Sequence, residues 1–166
     1  AVMGFDRHEL DILLNDFEDV VVANDNSISQ VVLSGATGSL KELAEQLKCK
    51  RAIPLNVSGA FHSPFMKEPA NAFAQELDKV EFCKATIPVI SNSEPSPTCD
   101  PVLLKNRLRN QMTMGVRWRE TMDIFSDKNI NRLLEIGPGN VLSGLAKRSL
   151  EGVKISQVNS SSSIPS

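Results

Sequence analysis

The residue best suited to chemistry in this chain is His62, which lies in the segment VSGAFHSPFM at 57–66. An imidazole titrates near neutral pH, so it can take a proton from a hydroxyl nucleophile and return it later in the reaction. Such a base needs a partner that fixes its tautomer through the other ring nitrogen. The alternative is that His62 only caps the helix that begins at Ser63 and Pro64.

The elements before this histidine follow the order βαββαβ. Leucines at helical spacing predict one helix after Asp6 and another after Ser39, each of which can act as the cap. The polar residues at 24–27 predict a turn. Apolar and β-branched runs predict strands at 1–5, 20–23, 30–34 and 52–57. This order is typical of a ferredoxin-like split β-α-β unit, so residues 1–57 are predicted to form a small ferredoxin-like subdomain.

From residue 58 onward, helices alternate with strands. Ser63-Pro64 predicts a helix that runs to about Val80, with Pro69 bending or delaying its first turn. Alternation of this kind indicates a parallel sheet. Residues 159–166 are predicted to be a disordered tail. The other expected elements are a buried strand at 87–91, a Pro-rich loop at 94–101, helices at 102–112, 116–125 and 141–150, and strands at 133–136 and 153–158.

Four segments together resemble malonyl-coenzyme A:acyl carrier protein transacylases, and their order and spacing carry the resemblance over almost all of residues 1–150. The segments are ANDNSISQVVLSG at 23–35, KRAIPLNVSGAFHSPFM at 50–66, LRNQM at 108–112 and EIGPGNVLSGLAKR at 135–148. The resemblance implies an α/β fold. In it, the ferredoxin-like subdomain at 1–57 is followed at 58–158 by the C-terminal part of an α/β-hydrolase-like parallel-sheet domain.

The resemblance also implies roles for single residues. His62 matches the histidine that takes the proton of a serine nucleophile, and Gln111 matches the glutamine whose main-chain carbonyl accepts the other imidazole N–H. In related polyketide synthase domains, phenylalanine at the position of Phe61 accompanies malonyl units and serine accompanies methylmalonyl units. A phenyl ring occupies the space that an α-methyl branch needs. Without the resemblance, Gln111 would be interpreted as an exposed helix residue and Phe61 as core.

Amide and basic side chains are candidates for binding. Asn26 and Asn92 are expected near the cleft and could contact the malonyl or pantetheine amide, although the polar stretch around Asn26 is equally consistent with turn chemistry. Acyl carrier proteins are acidic, so two basic pairs could form their docking rim, the alternative being ordinary solvated charge. The pairs are Lys50-Arg51 and Lys147-Arg148.

The turn Gly137-Pro138-Gly139 stands before a predicted helix, where an anion could bind. It lacks the G-x-G-x-x-G spacing of a dinucleotide site, because Leu142 occupies the last position. We therefore interpret it as a turn that lets strand and helix pack closely.

The nucleophile of the family has no counterpart here. In the family it lies in a G-H-S-x-G elbow upstream, as do an arginine that pairs with the malonyl carboxylate and a glutamine-containing loop of the oxyanion hole. No serine of this chain has glycine at both positions two residues away. The chain also begins at Ala1 without a Met, so we expect a piece of a longer protein. Alone, it is expected to be inactive and poorly stable.

Composition narrows the classes of partner. A net charge of −2 gives no basic footprint for nucleic acid, and no apolar run approaches the ~20 residues of a membrane span. The three cysteines form no C-x-x-C pattern, which argues against zinc or a disulfide framework and favours a reducing compartment. We expect a cytoplasmic protein, with the plastid stroma as the alternative, that is monomeric when complete.

The sequence thus favours transfer of a malonyl group from malonyl-CoA to the pantetheine thiol of acyl carrier protein, through an acyl-serine, in fatty acid biosynthesis. This chain would supply the histidine base but not the nucleophile, and would need neither a metal nor a redox cofactor. Two alternatives stay open at this point. One is an acyltransferase fragment of a polyketide synthase, and the other is a non-catalytic module that binds carrier proteins.

Overall fold

The first strand and helix form where the sequence places them. In the computed structural model, which describes residues 1–163, β1 spans Val2–Phe5 and α1 spans Arg7–Leu14. Asp6 separates them, and its carboxylate accepts the backbone N–H of Glu9 at 2.9 Å, which confirms the predicted cap. The apolar face of α1 is turned inward, with Leu10 only 2% exposed.

A hairpin of β2 (Val20–Ser27) and β3 (Gln30–Gly35) follows, and it corrects one prediction. Residues 24–27 are strand rather than turn, since Asn24 pairs with Val32 and Ser27 with Gln30. The turn is confined to residues 28–29. Two register shifts let the polar residues stay in the ladder, so pairing with a β-branched strand overrides their local preference for a turn.

Helix α2 (Thr37–Gln46) and strand β4 (Cys49–Ala52) complete the antiparallel sheet, whose strand order is β2-β3-β1-β4. The helix begins two residues before Ser39, whose hydroxyl donates to Asp19 at 2.7 Å instead of capping. A fourth strand is present as predicted, but its predicted bounds of 52–57 are wrong. Its pairing with β1 ends where Ile53 meets Ala1, and Pro54 next offers no N–H.

The core of this sheet lies between its inner face and the two helices. Burial of each large apolar side chain contributes about 1.5–3 kcal/mol. The order of elements is the predicted βαββαβ, while the division of the chain at residue 57 stays a prediction. The buried core residues are Val2, Leu10, Phe17, Val20, Val31, Leu43 and Leu47.

A short 3₁₀ turn at Pro64–Met66 leads into α3 (Lys67–Asp78). Pro64 opens the turn as predicted, and Pro69 falls in the first turn of α3, whose start is delayed to Lys67. Ser63 stands at the cap position, but its hydroxyl donates back to the Ala60 carbonyl at 2.5 Å and caps nothing.

The predicted buried strand at 87–91 is also wrong. Ile87 is 74% exposed, and the segment forms only an isolated bridge between Val89 and Thr98. An apolar run becomes a strand only where a neighbouring strand accepts its backbone hydrogen bonds, and the described residues offer no longer pairing there. Helix α4 (Pro101–Asn110) follows and begins at Asp100, whose carboxylate accepts the N–H of Val102 at 2.8 Å.

The chain divides into two compact units after Trp118. Helix α5 (Trp118–Asp127) leads to β5 (Arg132–Ile136), α6 (Val141–Ser149) and β6 (Lys154–Val158). The two strands pair in parallel across the α6 crossover, as their alternation with helices predicts. Of the predicted tail at 159–166, residues 161–163 form a 3₁₀ turn and residues 164–166 lie outside the described part. None of the helices between residues 1 and 163 has the length and apolar character to cross a membrane.

Two glycines of this fold should respond oppositely to alanine. A Cβ on Gly35 would lie 2.2 Å from the Asp19 carbonyl oxygen, so Gly35→Ala should lower the free energy of unfolding by about 1–3 kcal/mol. Gly38 lies in α2 with nothing within 4 Å of its Cβ position, so Gly38→Ala should raise it by up to about 1 kcal/mol. Urea unfolding midpoints check both, and equal shifts for the two variants would contradict the packing described here.

Candidate active site

The backbone of His62 is held in an unusual conformation. Its φ is +62°, in the left-handed region that a non-glycine residue occupies at a cost of about 1–3 kcal/mol. The His62 N–H donates to the Met112 carbonyl at 2.9 Å, which fixes the loop against the end of α4. Strain of this kind persists only where surrounding contacts impose it, and it aims the imidazole at the same helix end.

The imidazole contacts fix its tautomer. His62 Nδ1 lies 2.8 Å from the Gln111 carbonyl oxygen and 3.2 Å from that of Met114. Because both neighbours can only accept, Nδ1 carries the hydrogen in the neutral ring, and Nε2 keeps its lone pair. The structure therefore brings His62 and Gln111 together, through the main-chain oxygen. Nδ1 donates to these carbonyls and is therefore not an acceptor for the N–H groups of the turn at 64–66. This argues against His62 acting only as a helix cap.

The carbonyls are available because α4 ends at this point. Gln111 is the C-cap of the helix, and its own N–H bends back to Leu108 in a tighter turn at 3.4 Å. The last carbonyls of any helix lack partners within the helix and carry partial negative charge. A helix end of this kind can therefore accept the Nδ1–H of an imidazole and orient the ring.

The segment after these carbonyls is anchored to strand β2. Val116 donates to the Ala23 carbonyl and accepts from the Asp25 N–H, each at 2.8 Å. Gly115 permits this approach, because a Cβ there would lie 2.7 Å from the Val22 carbonyl oxygen. The turn that orients His62 is thus fixed at both its ends.

Of the two predicted amide residues, Asn92 has a structural contact to this segment. Its carbonyl accepts the N–H of Arg117 at 2.8 Å, while the residue as a whole is exposed. Asn26 lies half-buried in β2, two residues past the bridge between Asn24 and Val116. The structure thus places both residues on elements that flank Val116, and their contact with substrate stays a prediction.

Phe61 is a surface residue beside the histidine. Within residues 1–163 its side chain is 48% exposed, and its role as core or as a selectivity residue stays a prediction. The ring lies over Gly59, where a Cβ would come within 3.3 Å of Cε2.

The basic pairs are exposed, as docking would require. Lys50 and Arg51 lie on β4, an edge strand, and the aliphatic stem of Lys50 covers Gly4. Lys147 and Arg148 lie in the last turn of α6, in the second compact unit. Exposure of this kind suits solvated charge as well, so the docking role stays a prediction.

The turn at 137–139 is already served by a carboxylate of the chain. Glu135 accepts the N–H of Ser143 at 2.9 Å and that of Leu142 at 3.1 Å, at the start of α6. The pKa of the Glu135 carboxyl is held below its usual range, mainly by the Ser143 side chain and to a smaller extent by these two N–H groups. The Ser143 hydroxyl lacks an ideally aligned acceptor, but it can rotate toward this carboxylate. An external anion would have to displace Glu135.

Sequence reasoning missed Arg107, which is 5% exposed and bonded to Glu94 and Ser96. The available indication was its position, because Arg107 falls on the helix face that Leu104 and Leu108 occupy, where a hydrophobic residue is expected. Across residues 1–163, no group of three His, Cys, Asp or Glu side chains could hold a metal ion.

Comparisons with known proteins agree with the motifs. The acyl transferase domain family matches residues 3–166. The malonyl CoA-acyl carrier protein transacylase of Synechocystis sp. is 46% identical over 158 residues, covering 95% of this chain and 54% of the relative. The chain spans about half the length of the curated relatives it matches.

Solved structures share the fold. The malonyl-CoA:ACP transacylase of Synechocystis sp. superposes with a TM-score of 0.92 at 44% identity, over 98% of this chain and 55% of that one. A type II PKS acyl-carrier protein in complex with its malonyl-transacylase gives a TM-score of 0.86 at 31% identity, over 98% and 54%. These matches confirm the resemblance and the mixed α/β fold.

The Glu135 contacts predict acid sensitivity. A carboxyl whose folded pKa is lowered contributes stability above its unfolded pKa of about 4.3, and that stability is lost as the pH falls through the folded pKa. At neutral pH the free energy of unfolding should therefore be higher for the native chain than for Glu135→Gln. The difference should close as the pH falls into the acid range. Glu76→Gln, which alters an exposed pair with Lys79, is the control. A gap independent of pH would refute the assignment.

Proposed function

The chain belongs to the acyl transferase domain family, and on this premise we propose that it supplies the histidine base of a malonyl-CoA:acyl carrier protein transacylase of fatty acid synthesis. The observation that carries the proposal is the 2.8 Å contact between His62 Nδ1 and the Gln111 carbonyl oxygen. It leaves Nε2 as the basic nitrogen, on a residue matched by the family's motif.

The proposed reaction has two transfers. A serine from the rest of the protein attacks the malonyl thioester as His62 Nε2 takes its proton. The carbon–sulfur bond then breaks, and coenzyme A leaves as a thiol with the proton that Nε2 returns. In the second transfer, the pantetheine thiol of acyl carrier protein gives its proton to Nε2 and attacks the acyl-serine. The carbon–oxygen bond of the acyl-serine breaks, which leaves the malonyl group on the pantetheine sulfur. The serine oxygen recovers the proton from Nε2, so the enzyme is regenerated without metal or redox chemistry.

Phe61 is proposed to select the acyl group. Its exposed ring stands next to the proposed base, and a ring in that place leaves less room for an α-methyl branch on the acyl unit. This exposure supports a steric filter that favours malonyl over methylmalonyl units.

The partner is proposed to be acyl carrier protein, approached through the exposed basic pairs. Complementary charge speeds the encounter of an acidic carrier protein with a basic rim. The complex of a type II PKS acyl-carrier protein with its malonyl-transacylase supports this choice of partner. The same complex keeps open a role in polyketide synthesis, in which the chemistry at His62 would be unchanged.

The base is tested in a hybrid in which this chain replaces the matching segment of the Synechocystis transacylase. His62→Ala should lower the rate of malonyl transfer to acyl carrier protein by about 10²- to 10⁴-fold, the usual contribution of a general base. His8→Ala, which changes the only other histidine, an exposed residue of α1, should leave the rate unchanged. Activity that survives His62→Ala would place the base elsewhere. A carrier-binding module without catalysis would leave the native hybrid inactive yet able to bind.

The selectivity is tested with Phe61→Ser in the same hybrid. The kcat/KM ratio of methylmalonyl-CoA to malonyl-CoA should rise by about 10-fold or more, since one methyl group is worth that much in a fitted pocket. Phe65→Ser changes a ring of similar exposure on the following 3₁₀ turn and is the control. Equal ratios in both variants and in the native hybrid would reject the steric filter.

A further inference from the structure

Arg107 is a buried cation in a helix face that is otherwise apolar. It lies in the last turn of α4, and its side chain is 4% exposed. One guanidinium nitrogen, Nη1, donates to the Ser96 carbonyl at 2.6 Å. The other, Nη2, donates to the Glu94 carboxylate at 2.5 Å and to the Ser96 hydroxyl at 2.8 Å. Three bonds thus join α4 to the loop at 94–96.

Stability alone is a weak explanation for this arrangement. Desolvation of a buried ion pair often costs more than the attraction returns, and an apolar residue of similar size is commonly neutral or better. Here Nε of Arg107 has no hydrogen-bond acceptor among residues 1–163, and Glu94 is 55% exposed. What the guanidinium supplies is a directional connection between two segments.

Both of those segments anchor the turn that holds His62. Arg107 lies four residues, about one helical turn, before Gln111, whose carbonyl faces His62 Nδ1. The loop that Arg107 binds begins two residues after Asn92, whose carbonyl accepts the Arg117 N–H at 2.8 Å. The turn at 111–117 therefore begins at the end of α4, which carries Arg107, and ends at Arg117, which binds Asn92 next to the loop at 94–96.

We propose that Arg107 is a positioning residue for the His62 base, which fixes the end of α4 against the Asn92 loop so that the Gln111 carbonyl stays in line with Nδ1. Arg107 is bonded to Ser96, the chain leads from Ser96 back to Asn92, and the Asn92 carbonyl binds the Arg117 N–H. The turn at 111–117 then connects Arg117 to Gln111. Loss of the guanidinium breaks the side-chain contacts that connect α4 to the loop at 94–96. The proposal rests on the proposed function, since it assigns Arg107 a role through that base.

The experiment uses the hybrid described above and two readouts. The first is kcat and KM for malonyl transfer. The second is the long-range ¹H–¹⁵N spectrum of histidine-labelled protein above the titration range of imidazole, in which His62 is assigned by its absence from His62→Ala. Arg107→Met keeps the volume and suits the apolar face. Glu94→Gln is a milder second variant at a half-exposed position. Arg109→Met is the matched control. Arg109 lies on the same helix as Arg107, but its ion pair, with Asp78 of α3, is at the surface.

Arg107→Met should lower kcat by about 10- to 100-fold with little change in KM, the effect of displacing a catalytic group by about 1 Å. Its His62 spectrum should change from the Nδ1–H form to a mixture of tautomers. Glu94→Gln should show the same changes at smaller size, and Arg109→Met neither.

Two results would overturn the proposal. Arg107→Met could keep both the native kcat and the Nδ1–H form, or Arg109→Met could lose as much. Should Arg107→Met fail to fold, a native spectrum and kcat in Glu94→Gln would count against the connection. An inactive native hybrid, or activity that survives His62→Ala, would reject the proposed function instead, while the tautomer of His62 would still decide the positioning role of Arg107.

Discussion

The hydrogen bond from His62 Nδ1 to the Gln111 carbonyl is the interaction on which the candidate site depends. It joins a loop residue to a helix end 49 positions later, and it decides which ring nitrogen is basic. The helix supplies the acceptor because its last carbonyls have no partners of their own. A feature common to every helix end thereby becomes a specific orienting group.

The geometry of this hydrogen bond depends on how firmly the two segments that it joins are held. On one side, the left-handed backbone of His62 is held by its N–H on the Met112 carbonyl. On the other, the turn after α4 is held by Val116 against β2 and by Arg117 against Asn92. Hydrogen bonds between backbone groups make up all of these supports.

Much of the fold was predictable because its determinants are local. Asp6 marks the start of a helix and Pro64 the start of the 3₁₀ turn, through chemistry that acts within one turn. The errors came where distant pairing decides the outcome. Residues 24–27 join a strand because β3 lies beside them, and Ile87 stays outside any strand because no segment within residues 1–163 pairs with it. The Gln111 carbonyl came only from the resemblance, since a main-chain acceptor has no side-chain pattern. Arg107 was missed because a charge on an apolar face was not recognised as a buried connection.

The use of carbonyls rather than a carboxylate suits the proposed substrate. A malonyl group brings its own negative charge, and a buried carboxylate behind the histidine would repel it. At about 8 Å and an effective dielectric constant of about 20, that repulsion is about 2 kcal/mol, enough to weaken substrate binding more than tenfold. Neutral carbonyl dipoles at the C-terminal end of α4 orient the imidazole without adding a full negative charge behind it. Their field falls off within about a turn of the helix end. They therefore select the tautomer without weakening the binding of an anionic acyl group.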